Sequence, residues 1–504
     1  GLSLKESLVI VDEAHNLPEA IRALQSCRLS LPVVEASLEQ LSAYTKRYIN
    51  RLAGRNLYYL GQLRTCIKSF IRYLKQEPRA SRMISAGELL VELKLDNINL
   101  FKIIFYLERS RLPQKLLGFA NNNGSNDKEN DIGISRHVSS LSLVQTFLCR
   151  LNCTAEEGKF VTNWPKVHSD ERPGNDKYPT LRFVALHPAA HFENVVSEAR
   201  AVALVGGTLQ PFGHVAAELL DNTFQTDAAK ADAFIQSSSD SKEISLTYKS
   251  KNFAAFTCDH VVPSRNVLLE RLSTGPSSTV DLDFRHKSRS TDAVIDELGR
   301  TLQHISTRVP AGIVVFLPSF SYEAQIIRRW KTCGIWNALN RNKRVHREPR
   351  RSTDVETTLE AYAKDAKTCG ALLLSVVGGK MSEGINFAND MARCVVVVGL
   401  PYPDITDVEL KEKMMTMDKS AGGMSGQAYY QNLCLRAVNQ SVGRAIRHAN
   451  DYAAIVLIDQ RYRNDARIWH GLPKWLRRSD KKSEDPSFSK SMAQIEKFFG
   501  EQRE

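Results

Sequence analysis

Apolar positions along the chain follow two different periods. An unbroken run, Leu8-Val9-Ile10-Val11, opens the chain, and similar short runs recur at 201–205, 313–317, 371–377, 395–398 and 455–458. Continuous Val/Ile/Leu of this length is the pattern of a strand buried on both faces of a parallel sheet. Helical stretches separate most of these runs, which predicts α/β architecture with helices on the sheet faces. Between about Leu31 and Leu151 the period changes. Apolar residues recur at helical spacing through Leu38, Leu41, Tyr44 and Tyr48, and again through Leu89, Leu93, Ile98, Ile103 and Leu107, so a helical insertion interrupts the first part of the sheet. Within it, Asn121 to Asp131 is polar and turn-rich and predicts a loop. A second irregular stretch, His168 to Pro179, leads to a strand-like run at Leu181 to Leu186. After Lys481 the chain reads as a charged, Ser-rich tail ending in an amphipathic piece around Ile495 to Phe499. No internal repeat of fixed period occurs.

Composition narrows this only modestly. A length of 504 residues admits about three domains. The 68 Lys and Arg against 56 Asp and Glu leave a net charge of +12, which suits a polyanionic partner such as nucleic acid and equally suits simple solubility. Nine cysteines are scattered without a Cys-x-x-Cys pair, which argues for a reducing compartment. Cys149 and Cys153, four apart on an expected helix, read as core thiols rather than half of a metal site. The apolar runs are too short to span a bilayer and no secretory signal opens the chain, so a cytoplasmic or nuclear protein is expected.

The candidate chemistry begins at the end of the first apolar run, with Asp12-Glu13-Ala14-His15. An acidic pair just past a parallel strand lands in the crevice where α/β sheets bind ligands. The first carboxylate can hold Mg²⁺, a hard cation that prefers oxygen, and the second can orient an attacking water. The phosphate-cradling partner of such a pair is missing. The chain holds no Gly-Lys-Ser/Thr triplet, and its two Gly-Lys pairs are followed by Phe160 and Met381. Because the chain opens on Gly1 rather than Met, the expectation is that the phosphate loop lies upstream. A helix expected over roughly 426–448 carries Gln440, Arg444 and Arg447 at spacings of four and three, with Leu435, Val438, Val442 and Ile446 on a separate apolar stripe. Two arginines on one face can stabilise charge on a transferring phosphoryl group, although taken alone the face reads as solvated and basic. Gly206-Gly207-Thr208-Leu209 and Gly378 to Phe387 each follow an apolar strand, where glycine allows close backbone approach to phosphate and hydroxyls can donate to it. Pro318-Ser319-Phe320 ends a third strand in the same way.

In this order the segments resemble the iron-sulfur group of superfamily 2 DNA helicases, to which XPD and FANCJ belong. Asp12 to His15 is similar to the DEAH box, and Gly207-Thr208, Phe316 to Phe320, Gly379 to Phe387 and Gln440 to Arg447 are similar to the third through sixth motifs. The wording of 376–387 and 437–448, and of Asp96 to Lys102, is nearest to the ChlR chromosome-loss helicases. The resemblance implies two RecA-like domains, the first only partly present, with an Arch-type helical insertion. The expected bounds are 1–30 and 176–222 for the first RecA-like domain, 31–175 for the insertion, 223–480 for the second domain and 481–504 for the tail. It implies an ATP-dependent 5′ to 3′ DNA helicase, nuclear and monomeric. Its partners would be single-stranded and forked DNA and proteins of sister-chromatid cohesion and replication.

The roles implied follow the motifs. Asp12 holds Mg²⁺, Glu13 positions water, and His15 couples the site to Gln440. Arg444 and Arg447 act on the phosphates, and Gly384, with Glu383 and Gly207, approaches the nucleotide. Thr208, Ser319 and Ser382 contact DNA or nucleotide. A 4Fe-4S cluster belongs to the family upstream of the DEAH box, so no cysteine of this chain is assigned to it. Two other readings stand beside this one: a non-catalytic DNA- or protein-binding module, and a nucleotide-excision-repair helicase of the same group. The basic stretch containing Arg341, Lys343, Arg344, Arg347, Arg350 and Arg351 reads as a solvated loop, ahead of a DNA-backbone contact or a nuclear localisation signal.

Overall fold

The computed structural model describes residues 3–78, 80–122, 139–154, 157–165, 177–207, 209, 215, 218–219, 243–248, 251–256, 260, 262–381, 385, 387, 389–419, 425–479 and 487–502. The molecule divides into two compact units. The first comprises Gly1–Val205, Val215–Gln225 and Thr406–Gly423, and the second Gly206–His214, Thr226–Ile405 and Met424–Glu504.

The strands of the first unit are β1 (Leu8–Val11), β2 (Cys27–Ser30), β3 (Met83–Ile84), β4 (Gly158–Asn163), β5 (Thr180–Ala185) and β6 (Ala201–Leu204). β1 and β6 pair in parallel, Leu8 opposite Ala201 through Val11 opposite Leu204. Leu8 and Ile10 are exposed, so this pair has one uncovered apolar face. The other four strands form an antiparallel sheet ordered β2-β5-β4-β3. Six helices pack with it: Leu31–Tyr48, Gly54–Leu74, Ala86–Leu93, Leu100–Ser110, Leu112–Asn122 and Ser140–Arg150. Their starts follow local chemistry. Ser85 and Glu88 form a reciprocal capping box ahead of Ala86, and the Asn99 side chain accepts from Lys102 N at 3.1 Å. The shared core runs from Leu41, Ile67, Leu89 and Ile103 to Phe160, Leu181 and Phe183. An aromatic chain, Phe70–Phe147–Phe160–Phe183, joins helices to sheet with ring centroids 5.6, 5.3 and 5.1 Å apart.

Several expected boundaries differ. The insertion is helical with its own antiparallel sheet, and Thr180–Ala185 belongs to that sheet rather than to a returning RecA-like strand. β2, expected to close the 1–30 segment, belongs there too. The chain rejoins the parallel pair only at β6. The helix Val408–Lys419, expected within the second RecA-like domain of 223–480, belongs to the first unit. It is held there by Lys159–Glu412 at 2.6 Å, Lys413–Glu19 at 3.6 Å and Arg182–Glu409. Most of the expected loops over 121–131 and 168–179 lie outside the described residues.

The second unit contains the hairpin β7 (Glu243–Tyr248) and β8 (Lys251–Phe256), followed by β9 (Val267–Leu272), β10 (Gly312–Leu317), β11 (Arg344–Arg347), β12 (Ala371–Val376), β13 (Cys394–Val398) and β14 (Ala453–Ile458). The last six form one sheet, ordered β11-β12-β10-β13-β14-β9, with every pairing parallel. Alternate side chains serve opposite faces. Ile313, Val315 and Leu317 pack with helices Asp292–Arg308, Phe320–Thr332 and Ile335–Asn342, while Val314 and Phe316 pack with helices Val355–Thr368 and Gly426–Gly443. Both faces are thereby dry, which is why these strands are apolar at every position.

The expected tail is not peripheral. Its helix Phe488–Glu501 buries Phe488, Met492, Ile495, Phe498 and Phe499 in the first of these two cores. Nor is the basic stretch a solvated loop, because Arg344–Arg347 is the edge strand β11. Arg347 forks onto buried Glu323 at 2.7 and 3.0 Å, and Lys343 is buried with its Nζ 2.7 Å from the Ala311 carbonyl.

Burial pushes the Lys343 ammonium down to about 8, against a smaller opposing influence from the Cys394 and Cys369 thiols. The unfolded chain holds that proton up to the ordinary lysine range. Between pH 8 and about 10.5 it therefore binds more protons than the folded state, and stability rises with pH. Lys343→Met should flatten this part of the stability-pH curve in urea unfolding. An unchanged slope would show that the lysine titrates normally.

Candidate functional site

Asp12 to His15 form the turn that leaves β1. The parallel ladder runs one step past the strands, with Val205 N donating to Val11 O and Ala14 N to Val205 O, both at 2.9 Å. This fixes the turn at the strand end. Glu13 has φ 48° and ψ 43°, the left-handed conformation that a non-glycine residue adopts at some cost. The Asp12 carboxylate offsets part of that cost by accepting from Glu13 N at 2.8 Å. The result is that both Asp12 and Glu13 are exposed while Ala14 and His15 are buried. His15 Nδ1 lies 3.3 Å from Glu13 Oε2, so the ring and the second carboxylate of the box are neighbours.

An exposed carboxylate at a strand end suits Mg²⁺, which takes one or two protein oxygens and completes its shell with phosphate and water. Asp12 fits that requirement. The described cysteines form no cluster-binding group. Among the described residues no group of three or more His, Cys, Asp or Glu could hold a metal ion. Cys27, near Cys149 and Cys153, has its thiol pushed up to about 12 by burial, against the thiolate that ligation needs. The helix carrying Cys149 ends at Arg150, so Cys153 is not on it.

Gly207 is exposed in the turn after β6, and a Cβ there would meet open space. Its glycine is thus not required by packing within the protein. Ser319 ends the link from β10 and caps the helix Phe320–Thr332, its hydroxyl accepting from Tyr322 N at 3.2 Å and lying 3.0 Å from the Ser321 hydroxyl. Thr208, Ser382, Glu383 and Gly384 lie outside the described residues.

The helix expected over 426–448 covers Gly426–Gly443. Gln440 sits on it half-buried and Arg444 is its C-terminal cap residue, but Arg447 lies beyond the helix and does not share its face. Past Gly443 the backbone is held by a different partner. Arg447 N donates to the Asp451 carboxylate at 3.2 Å, and Arg393 donates to the same carboxylate at 3.0 Å. The Arg447 side chain is exposed. Arg444 reaches back to the loop after β12, its guanidinium donating to Ile385 O at 3.2 Å.

That loop has a second anchor that the sequence reading passed over. Glu348, just beyond β11, is buried, and its carboxylate accepts from Ser375 Oγ at 2.7 Å, Val376 N at 2.8 Å and Met381 N at 3.0 Å. A signal was available: Glu348 is the one acidic residue among the basic positions of 341–351.

Residues 302–479 match the family model of the helicase C-terminal domain. The molecule is thus built around a helicase C-terminal domain of RecA-like fold. Over its whole length the chain is 34% identical to ATP-dependent DNA helicase DDX11 of Danio rerio, of which it covers 59%. Over 99% of its length it is 33% identical to ATP-dependent DNA helicase chl1 of Schizosaccharomyces pombe, of which it covers 58%. The solved structure of S. tokodaii Xpd4 shares the fold, with a TM-score of 0.50 and 18% identity over 94% of this chain and 75% of that one. Over nearly its whole length the chain is thus similar to ATP-dependent DNA helicases of the DDX11 and chl1 kind, and it spans less than two thirds of the curated relatives it matches.

The partner of Arg447 gives a direct test. Asp451 is buried beside Arg393, whose guanidinium also lies 4.0 Å from the Tyr452 ring centroid. Asp451→Ala leaves a buried guanidinium short of its counter-charge and should destabilise the second unit by about 3–5 kcal/mol in chemical denaturation. A loss under about 1 kcal/mol, the range of exposed pairs, would mean that the pair is effectively solvated.

Proposed function

We propose that this protein is an ATP-dependent DNA helicase that moves 5′ to 3′ on single-stranded DNA and acts on forked or structured DNA during replication, cohesion and genome maintenance. The Asp12-Glu13 turn carries the reading. It offers two exposed carboxylates at the end of a parallel strand, with Asp12 accepting from the N–H of the left-handed Glu13. Support comes from the relatives, named ATP-dependent DNA helicases, and from the basic net charge of +12.

In this mechanism Asp12 holds Mg²⁺, which neutralises charge on the nucleotide phosphates when bound. Glu13 orients the attacking water, and neighbouring His15 steadies its carboxylate. Arg444 and Arg447 supply permanent positive charge to the transferring phosphoryl group. Gly384, with Glu383 and Gly207, lets the backbone come close to the nucleotide, and Thr208, Ser319 and Ser382 contact phosphate oxygens of nucleotide or DNA. These 504 residues hold no Gly-Lys-Ser/Thr triplet, so no phosphate-cradling residue is assigned among them. It acts in the nucleus as a monomer, with cohesion and replication proteins as partners.

Glu13→Gln in the natural gene product should abolish DNA-stimulated ATP hydrolysis while leaving nucleotide affinity within a few-fold of wild type. Undiminished hydrolysis in the variant would remove Glu13 from the reaction.

A further inference from the structure

The loop that follows β12 has an unusual economy of support. Its first residue continues the sheet, Val377 N donating to Leu317 O at 3.0 Å. Gly378 then turns the chain with φ +72°, a conformation that strains any residue with a side chain, and Gly379 N closes the turn onto Val376 O at 2.9 Å. The described residues just beyond the turn, Lys380 and Met381, belong to no strand or helix. The donors at 375, 376 and 381 converge instead on Glu348, whose two oxygens are divided between them: Oε2 takes Ser375 Oγ and Val376 N, and Oε1 takes Met381 N.

Glu348 is itself fixed. Its own N–H donates to Leu374 O at 2.9 Å, which carries the β11 ladder one step further, and Lys380 Nζ donates to Arg350 O at 3.0 Å two residues on. Gly379 is packed against the carboxylate so closely that a Cβ there would sit 2.3 Å from Oε1 and 2.7 Å from Cδ. Met381 and Phe387 are fully buried on either side of the glycine-bearing stretch, and Arg444 holds Ile385 O from the opposite direction.

We infer that Glu348 is a positioning residue for the reaction: it sets the conformation of the loop from Val376 to Met381, which leaves the carboxyl end of β12, the edge at which parallel sheets bind ligands. This inference rests on the helicase reading above. Glu348 makes no contact with the reacting groups. It acts by converting three backbone and hydroxyl donors into a rigid turn, and a loop displaced by about 1 Å is enough to lower a rate on the order of 100-fold. A carboxylate is suited to this because it only accepts, whereas an amide in its place turns a donor toward one of the three N–H or O–H groups.

Two variants test the inference by independent routes. Glu348→Gln replaces one acceptor oxygen with a donor and Gly379→Ala pushes the carboxylate aside, so each should lower kcat for DNA-stimulated ATP hydrolysis by roughly 10-fold or more, with KM for ATP changed much less. The double variant should be no worse than the more damaged single, because a displaced or absent carboxylate can be lost only once. Amide exchange on the 504-residue chain reads the hold itself. Both variants should speed exchange at Val376 and Met381 while β13 and β14 stay protected.

Wild-type kcat in Glu348→Gln, or multiplicative losses in the double variant, would overturn the positioning role. So would unchanged exchange at 376 and 381. If the wild-type gene product shows no ATP hydrolysis, the helicase reading fails by itself, and the exchange measurement still decides whether Glu348 holds the loop.

Discussion

The constraint on which the second unit depends is that all six strands of its sheet run parallel and that β10, β12, β13 and β14 are covered on both faces. A parallel strand cannot return by a tight hairpin, so each connection crosses a face and each strand ends on the same side of the sheet. Loops gather there with backbone groups that neither ladder nor helix satisfies. Buried carboxylates meet that need. Glu348 serves the loop after β12 from the end of β11, and Asp459 serves the end of β14, accepting from Arg461 N and Nε at 2.8 and 2.9 Å and from Phe284 N at 3.3 Å. Asp451 does the same at the start of β14 for Arg447 and Tyr452. The sheet supplies position, and the acids supply rigidity where the sheet stops.

In the first unit the same logic holds on a smaller scale. A single parallel pair, β1 and β6, carries the Asp12-Glu13 turn, and the ladder bond from Ala14 N to Val205 O fixes where the turn begins. The larger part of this unit is the helical insertion with its antiparallel sheet, whose core is continuous and aromatic. The helix Val408–Lys419 joins that body through Lys159, Arg182 and Glu19. Its charged attachment explains its sequence, which lacks the apolar stripe of a helix packed on a sheet. Only Leu410 of this helix is buried.

How much of this could be read from the sequence follows from the physics of each element. Strands dry on both faces are almost wholly apolar, so β10, β12, β13 and β14 are legible as runs, and β1 and β6 are legible too although their pair has one uncovered face. β3 is two residues long and β2 buries only Leu29, and neither leaves a periodic trace. The extent of the Gln440 helix was overread because Ile446 stays buried and preserves the apolar period after the chain has left the helix at Gly443. The tail was half legible: its charge was read correctly, but five apolar residues spread over Phe488 to Phe499 make a core helix. Glu348 could not be recognised from spacing, because its partners lie 27 to 33 positions away and meet it only through the pairing of β11 with β12.

The central claim is that Arg444, at the end of the Gln440 helix, supplies permanent charge to the phosphoryl transfer proposed above. The most direct measurement is the rate of ATP hydrolysis, with and without single-stranded DNA, by the natural gene product and its Arg444→Ala variant. The account predicts DNA-stimulated hydrolysis in the wild type and a loss of about three orders of magnitude in the variant, the scale of an arginine acting on the transferring phosphate. Equal stimulated rates in the two proteins would contradict it.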